Sequence, residues 1–333
     1  MFALSSVGDL VANLISSPLP RKGRAMPVTF GIHVGQQSTT IDELRRLWTY
    51  ADTHGFGWLS VWDHFYNATD ETAPHYEAVA LLAAIACETR NLRFGCMVFA
   101  APYRNLGLLA KSMITIDHLS GGRLEFGMGG GWHEPEFRAF GYDFPPIKQR
   151  LDLLEEGMQA MRGFLDHETT DHHGPYFQFT DAHMAPRPLG RLPLWIGGRG
   201  ERRTAHIAAR YADGWNIPYE SPESLVQKYA ALDRWCEVEG RDPTTIARAT
   251  QLGFYMAAAA DPASLAHAET EMYRRVPPHQ DMVGQLTGSP AQVTERLHAY
   301  EAAGITAINI AIRPPVDWAA LDAFVTEVMP HFT

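Results

Sequence analysis

Leu92 to Trp132 reads LRFGCMVFAAPYRNLGLLAKSMITIDHLSGGRLEFGMGGGW. An apolar run, Leu92 to Phe99, ends in a Pro/Arg/Asn loop. Leu106 to His118 then repeats its apolar residues at helical spacing, and Ser120-Gly121-Gly122 stops it. A second apolar run, Leu124 to Met128, opens into Gly129-Gly130-Gly131. Strand, helix, strand and a bare-backbone loop in that order are a βαβ unit whose second strand ends in a glycine turn. Parallel α/β barrels keep their phosphates and their chemistry at such turns.

The same rhythm extends in both directions. Val28 to Val34 reads as a first strand. Thr40-Ile41-Asp42-Glu43 has capping-box spacing and starts a helix to about His54. Trp58 to Val61 is a short buried strand, Tyr76 to Cys87 a helix, and Gln149 to Phe164 a longer one. His167 to Pro188 breaks the rhythm and reads as an inserted hairpin. Strands follow at Pro193 to Ile196, Gly214 to Asn216, Ala247 to Ala257 and Ala307 to Ile312, with helices at 201–212, 222–239, 290–303 and 316–329. Pro262 to Gly288 is polar and reads as irregular, a candidate lid. Eight strands alternating with helices predict one α/β domain, a (β/α)8 TIM barrel with inserted hairpin and lid segments, over residues 27–333. The rival is an open doubly wound sheet. It places G-x-G-x-x-G after the first strand, and Gly31 and Gly35 do not fit that spacing.

Composition narrows the function classes. A chain of 333 residues with 46% hydrophobic content can bury a large core. A net charge of −10 disfavours nucleic acid and basic membrane contacts. Cys87, Cys96 and Cys236 are widely spaced and read as reduced thiols of a cytoplasmic protein. No apolar run approaches a membrane span. Residues 1–26 read as a flexible tail, with a short amphipathic helix at Val7 to Ile15. Its basic cluster follows the weakly apolar part, the reverse of an export signal, and Met26 is an alternative start.

Candidate chemistry clusters just after predicted strands. Asp63 and His64 follow the second strand, where histidine can exchange a proton near neutrality and a carboxylate can orient its neighbour. The alternative is a pair that only fixes its own loop. Gly129, Gly130, Gly131, Gly197 and Gly198 follow the fourth and fifth strands and can bring bare N–H groups to an anion. Arg199, Arg202 and Arg203 could pair with that anion or form a solvated helix face. His33 and Gln36 end the first strand, on the floor or rim. His167, His172 and His173 lack cysteines and a firm ligand spacing, so no metal is expected.

Taken together, Trp62-Asp63-His64-Phe65, Leu92-Arg93-Phe94-Gly95, Tyr103-Arg104-Asn105, Leu119-Ser120-Gly121-Gly122-Arg123, Glu125 to Gly131, Ile196-Gly197-Gly198 and Tyr211 to Asn216 resemble the bacterial luciferase-like superfamily, and within it the branch that uses the deazaflavin coenzyme F420. The resemblance implies a non-proline cis peptide at Met97–Val98 against the cofactor ring. It implies a cofactor phosphate on the amides of Gly129 to Gly131 and Gly197 to Gly198. It also implies that His64 is the acid/base beside the ring, with Asp63 bonding the ring or fixing the loop, and that the chain is a homodimer. Three functions are open. One is F420-dependent hydride transfer to or from a small organic substrate. Another is an FMN-dependent monooxygenase supplied by a partner flavin reductase. A non-catalytic flavin binder is a third. Sugar-phosphate dehydrogenases of the branch place glutamate where this chain has Trp132, which points to a flatter, more apolar substrate.

Overall fold

The computed structural model describes residues 28–67, 70–276 and 282–332. The expected tail and its short helix lie outside the described residues. In chain order the elements are β1 (Thr29–Val34), α1 (Ile41–Thr53), β2 (Trp58–Val61), α2 (Ala78–Glu88), β3 (Arg93–Ala100), α3 (Leu106–Ser120), β4 (Leu124–Gly129), α4 (Glu134–Ala139), α5 (Ile147–Asp166), β5 (Thr169–His173), β6 (Gln178–His183), β7 (Leu194–Gly197), α6 (Arg203–Tyr211), β8 (Gly214–Asn216), α7 (Pro222–Glu239), β9 (Ala247–Met256), α8 (Pro262–Arg275), β10 (Gln285–Gly288), α9 (Pro290–Ala302), β11 (Ala307–Ile312) and α10 (Trp318–Ala323).

Eight parallel strands close a barrel in the order β1-β2-β3-β4-β7-β8-β9-β11 and back to β1. β5 and β6 form the separate antiparallel hairpin expected between barrel units. Pro262 to Gly288 departs from the irregular segment expected. Asp261 caps α8, accepting from Ala263 N and Ser264 N, and the chain then adds β10. Polarity misleads here because α8 buries only Ala268 and Met272. Gly253 of β9 pairs with Ala311 on one edge and Gln285 on the other, so β10 continues the edge that β8 begins.

The ends of the helices follow from local chemistry. Thr40 accepts the Glu43 amide at 3.2 Å, and Asn105 accepts the Leu108 amide at 3.0 Å. Gly121 ends α3 with φ 68°, a left-handed value that suits glycine. Alternation along the strands sends one set of side chains to the helices and the other into the barrel. Phe94, Phe126, Ile196 and Ile310 join the large core under the helices. Trp58, Met97, Trp195 and Ala249 fill the barrel interior. At its base Trp195 donates to Glu125 at 2.6 Å, and Arg93 pairs with the same carboxylate.

Candidate active site

The inward positions at the C-terminal ends of the strands divide the mouth into two arcs. The first runs over β3, β4 and β7. The register of β3 against β4 shifts between Cys96 and Phe99, and the Met97–Val98 peptide bond is cis, as the resemblance implies. Val98 therefore joins Met97 against the interior cluster instead of pointing to the helices. A Cβ on Gly127, Gly129 or Gly197 would stand 2.6 to 2.8 Å from Val98 methyls. These glycines make room for Val98 and leave a wall of bare backbone beside it. Met128 pairs with Ile196, so the two glycine turns lie side by side. Gly131 has φ 72° and faces Phe137, which excludes a side chain. Among the described residues the amides of Gly130 and Gly131 have no acceptor, whereas Gly198 donates its amide to Asn216 O at 3.2 Å. Gly198 is thus committed within the barrel.

The second arc carries the polar groups. His64 follows β2, and its Nδ1 lies 2.6 Å from Glu136 Oε1. The other oxygen of Glu136 accepts the Phe65 amide at 3.0 Å. Burial alone would lift the Glu136 carboxyl, but the bonds from His64 and Phe65 outweigh it and hold the group below its ordinary value. An ionised carboxylate only accepts, so Nδ1 of His64 carries a hydrogen, and Nε2 presents its lone pair whenever the ring is neutral. The His64 side chain is 24% exposed, against 2% for Glu136. Proton exchange is thus open to the imidazole and closed to the carboxylate. Trp132 meets the ring edge-on at 5.6 Å and forms one wall of this corner.

Glu136 sits on α4, a short helix absent from the sequence reading. His133-Glu134-Pro135-Glu136 directly after the glycine turn was its signal, since proline favours a first helical turn.

Asp63 turns away from the corner. Its carboxylate accepts the Ala100 amide at 3.0 Å and pairs with Arg104, which reaches Glu77 at 3.3 Å. Burial lifts its carboxyl above the usual value, with Arg104 and the amide pulling the other way. Of its two expected roles, this contact is the loop-fixing one: it ties the end of β3 to the loop after β2.

His33 is buried and lies 2.6 Å from Ser60 Oγ. Burial, then Arg313 and His64, push its ring down to about 3, so it stays neutral across the physiological range. Gln36 braces the floor, its amide donating to Tyr76 O at 2.5 Å and its oxygen accepting the Trp62 amide at 2.9 Å. His75 is also pushed down, to about 4, by burial and then His64.

Four of the remaining candidates are engaged elsewhere, and Arg202 is exposed. Arg203 pairs with Asp152 and Glu155, both at 2.8 Å, and Arg199 donates to Pro218 O at 2.9 Å. In the hairpin His172 pairs with Glu156 at 3.1 Å and His173 with Gln178 at 3.2 Å. Among the described residues no group of three or more His, Cys, Asp or Glu could hold a metal ion, and no helix is long and apolar enough to cross a membrane.

Comparison with known proteins agrees with this architecture. The family model described as luciferase-like monooxygenase matches residues 23–285. An FMNH(2)-dependent dimethylsulfone monooxygenase of Pseudomonas putida is 27% identical over 305 residues, covering 81% of this chain and 83% of that protein. An F420-dependent glucose-6-phosphate dehydrogenase of Amycolatopsis mediterranei is 30% identical over 159 residues, 47% of each chain. Among solved structures, an F420-dependent secondary alcohol dehydrogenase in complex with an F420-acetone adduct superposes with a TM-score of 0.81 at 18% identity, over 92% of this chain and all 100% of that one. At that identity the superposition speaks for the fold alone. The closed barrel, its inserted hairpin and the family match together make this chain a member of the luciferase-like monooxygenase family.

Proposed function

We propose that this chain is an oxidoreductase that moves hydride between a deazaflavin of the F420 type and a small organic substrate. The observation that carries the reading is the His64–Glu136 pair, at the same end of the barrel as the glycine-lined arc. That arc suits a flat, phosphate-bearing ring system. Its wall is bare backbone where a Cβ would meet Val98, and Gly130 and Gly131 offer amides without acceptors. Once bound, the cofactor would supply the carbon that accepts or donates hydride.

The chain supplies the proton chemistry. With an alcohol substrate, Nε2 of His64 takes the hydroxyl proton as the carbinol C–H bond gives up its hydride. In the reverse direction the same nitrogen returns a proton to the carbonyl oxygen. Glu136 holds the other ring nitrogen, fixes the tautomer and stabilises the imidazolium that forms. His33, kept neutral by burial, adds no competing charge.

A second reading is an FMN-dependent monooxygenase served by a separate reductase. Trp132 beside His64 favours it, as does the FMNH(2)-dependent relative that covers 81% of the chain. An apolar wall helps keep water from an oxygenated flavin.

The readings separate on cofactor choice. The pure protein is titrated with F420 and with FMN, and the quenching of each fluorophore is followed. Saturable F420 binding with no FMN binding is expected. Saturable binding of reduced FMN, with oxygen consumption once a reductase is added, would give the second reading the site. On the F420 reading, Glu136→Gln lowers turnover on the order of 10- to 100-fold and displaces the acid limb of the pH–rate profile, with cofactor affinity unchanged.

A further inference from the structure

Hydride transfer as described leaves one cation of the mouth without a task. Arg313 follows β11, where the inward alternation of Asn309 and Ala311 continues onto it. Its guanidinium stands 5.9 Å from the centre of the Trp62 ring and 3.4 Å from the Tyr219 hydroxyl, with Tyr255 beside it. Among the described residues no carboxylate pairs with it. Its neighbours Arg274 and Arg275 both hold Glu271, and Arg275 also donates to the Arg313 carbonyl at 2.5 Å. Asp317 is occupied as the cap of α10. Arg313 is half-buried, and the phenols of Tyr219 and Tyr255 and the Trp62 indole favour its charge without supplying an anionic partner.

Two further facts say where such a partner would sit. The guanidinium acts on the buried His33 ring, as His64 does, so it lies toward the mouth, whereas the cavity of about 350 Å³ that Arg313 also borders is lined by Phe254, Ile312, Glu271 and Asp317 on the helix-facing side of β9 and β11. The position also separates this anion from any phosphate at the glycine turns. β11 lies between β9 and β1, whereas β4 and β7 form the opposite wall. His64, at the end of β2, stands between the two.

We infer that Arg313 receives an oxyanion carried by the substrate: a carboxylate, sulfonate or phosphate group held in bidentate fashion by the guanidinium. The word substrate rests on the hydride-transfer reading; the anion site itself does not. The substrate class becomes a small molecule with an acidic group at one end and, toward His64, the carbon that exchanges hydride.

The test uses the full-length protein with benzoate and sulfate as probes. Tryptophan fluorescence and thermal shift are followed at constant ionic strength. Wild type is expected to bind at least one probe saturably. Arg313→Met should weaken that binding about 10- to 100-fold, the range for a hydrogen bond to a charged group. Arg313→Lys should retain part of it, and Arg274→Met, which removes a paired arginine, should leave it unchanged. F420 titration of the same variants separates the two ideas. If F420 fails to bind while probe binding still depends on Arg313, the cofactor reading falls and the anion site stands. Absence of saturable probe binding in wild type, equal probe affinity in Arg313→Met, or loss of F420 binding in that variant would each overturn the inference.

Discussion

Both ends of this barrel are rich in charge, and they differ in whether that charge is spent. At the N-terminal end Asp213, just before β8, accepts from Arg162 at 3.0 Å, from Arg191, and from the Leu194 amide at 2.9 Å. Arg210 meets Glu155 at 2.8 Å, and Arg241 donates to Ala209 O and to Thr245, both at 3.1 Å. Arg162, Arg191, Arg210 and Arg241 each have a partner in the protein, although Nε and Nη1 of Arg162 make no hydrogen bond among the described residues. At the C-terminal mouth Arg313 has no carboxylate, and Trp62 Nε1, Asn216 Oδ1 and both His75 nitrogens lack a hydrogen-bond partner among the described residues. Buried polar groups are normally paired, so the excess of unpaired ones marks the mouth as the working end and the paired network as structure. Polarity alone would not have told them apart.

That contrast can be broken most forcefully at Asp213. Asp213→Ala leaves Arg191 and the Leu194 amide unpaired and Arg162 with only Asp166 and the Leu192 carbonyl, and should cost about 3–5 kcal/mol of stability, read from urea denaturation. Turnover per folded molecule should stay near wild type. A loss of turnover without loss of stability would move the working end. The matching change at the mouth is His64→Ala. It should lower kcat by roughly 10²- to 10⁴-fold while the denaturation midpoint holds and cofactor affinity stays within about a few-fold; wild-type turnover would remove His64 from the chemistry.

Gly129→Ala sharpens the division between the two arcs. Its methyl would meet a Val98 methyl at 2.6 Å. Overpacking there should cost about 1–3 kcal/mol and weaken cofactor binding, whereas Gly141→Ala, whose Cβ would meet nothing within 4 Å, tests the backbone effect alone at φ 77°. The smallest effect is a pH slope. The folded value of His33, about 3, lies below the ordinary 6.5. As pH falls through 6.5 the unfolded chain takes up the proton first, so the stability is fully present above that value and is lost toward pH 3. The slope is about 1.4 kcal/mol per pH unit for one such group. His33→Gln should flatten the pH dependence of the urea midpoint over that window; an unchanged slope would mean that His33 is not the buried neutral ring described here.

Much of this was legible in the sequence because it was written in local spacing. The βαβ unit from Leu92 to Trp132, the hairpin after α5 and the glycine turns follow from periodicity and turn chemistry, and the strands landed within a residue or two of their places. What the sequence hid was pairing across distance. Asp63 and His64 are neighbours in the chain yet face different partners, Arg104 and Glu136, because adjacent residues after a strand point to opposite sides. Glu136 lies 72 positions from His64, and no local pattern links them. The glycines suggested only an anion cradle, although Gly129 and Gly197 also clear space for Val98. α8 was missed because an exposed helix that buries two side chains carries almost no apolar stripe.

The most direct measurement is single-turnover mixing of the protein with F420 and a panel of small alcohols bearing a carboxylate, following the deazaflavin absorbance. Reduction of the deazaflavin with at least one of them, slowed in His64→Ala although F420 still binds, is the predicted result. A wild-type protein that ignores F420 and instead consumes oxygen when given reduced FMN would contradict hydride transfer at this mouth.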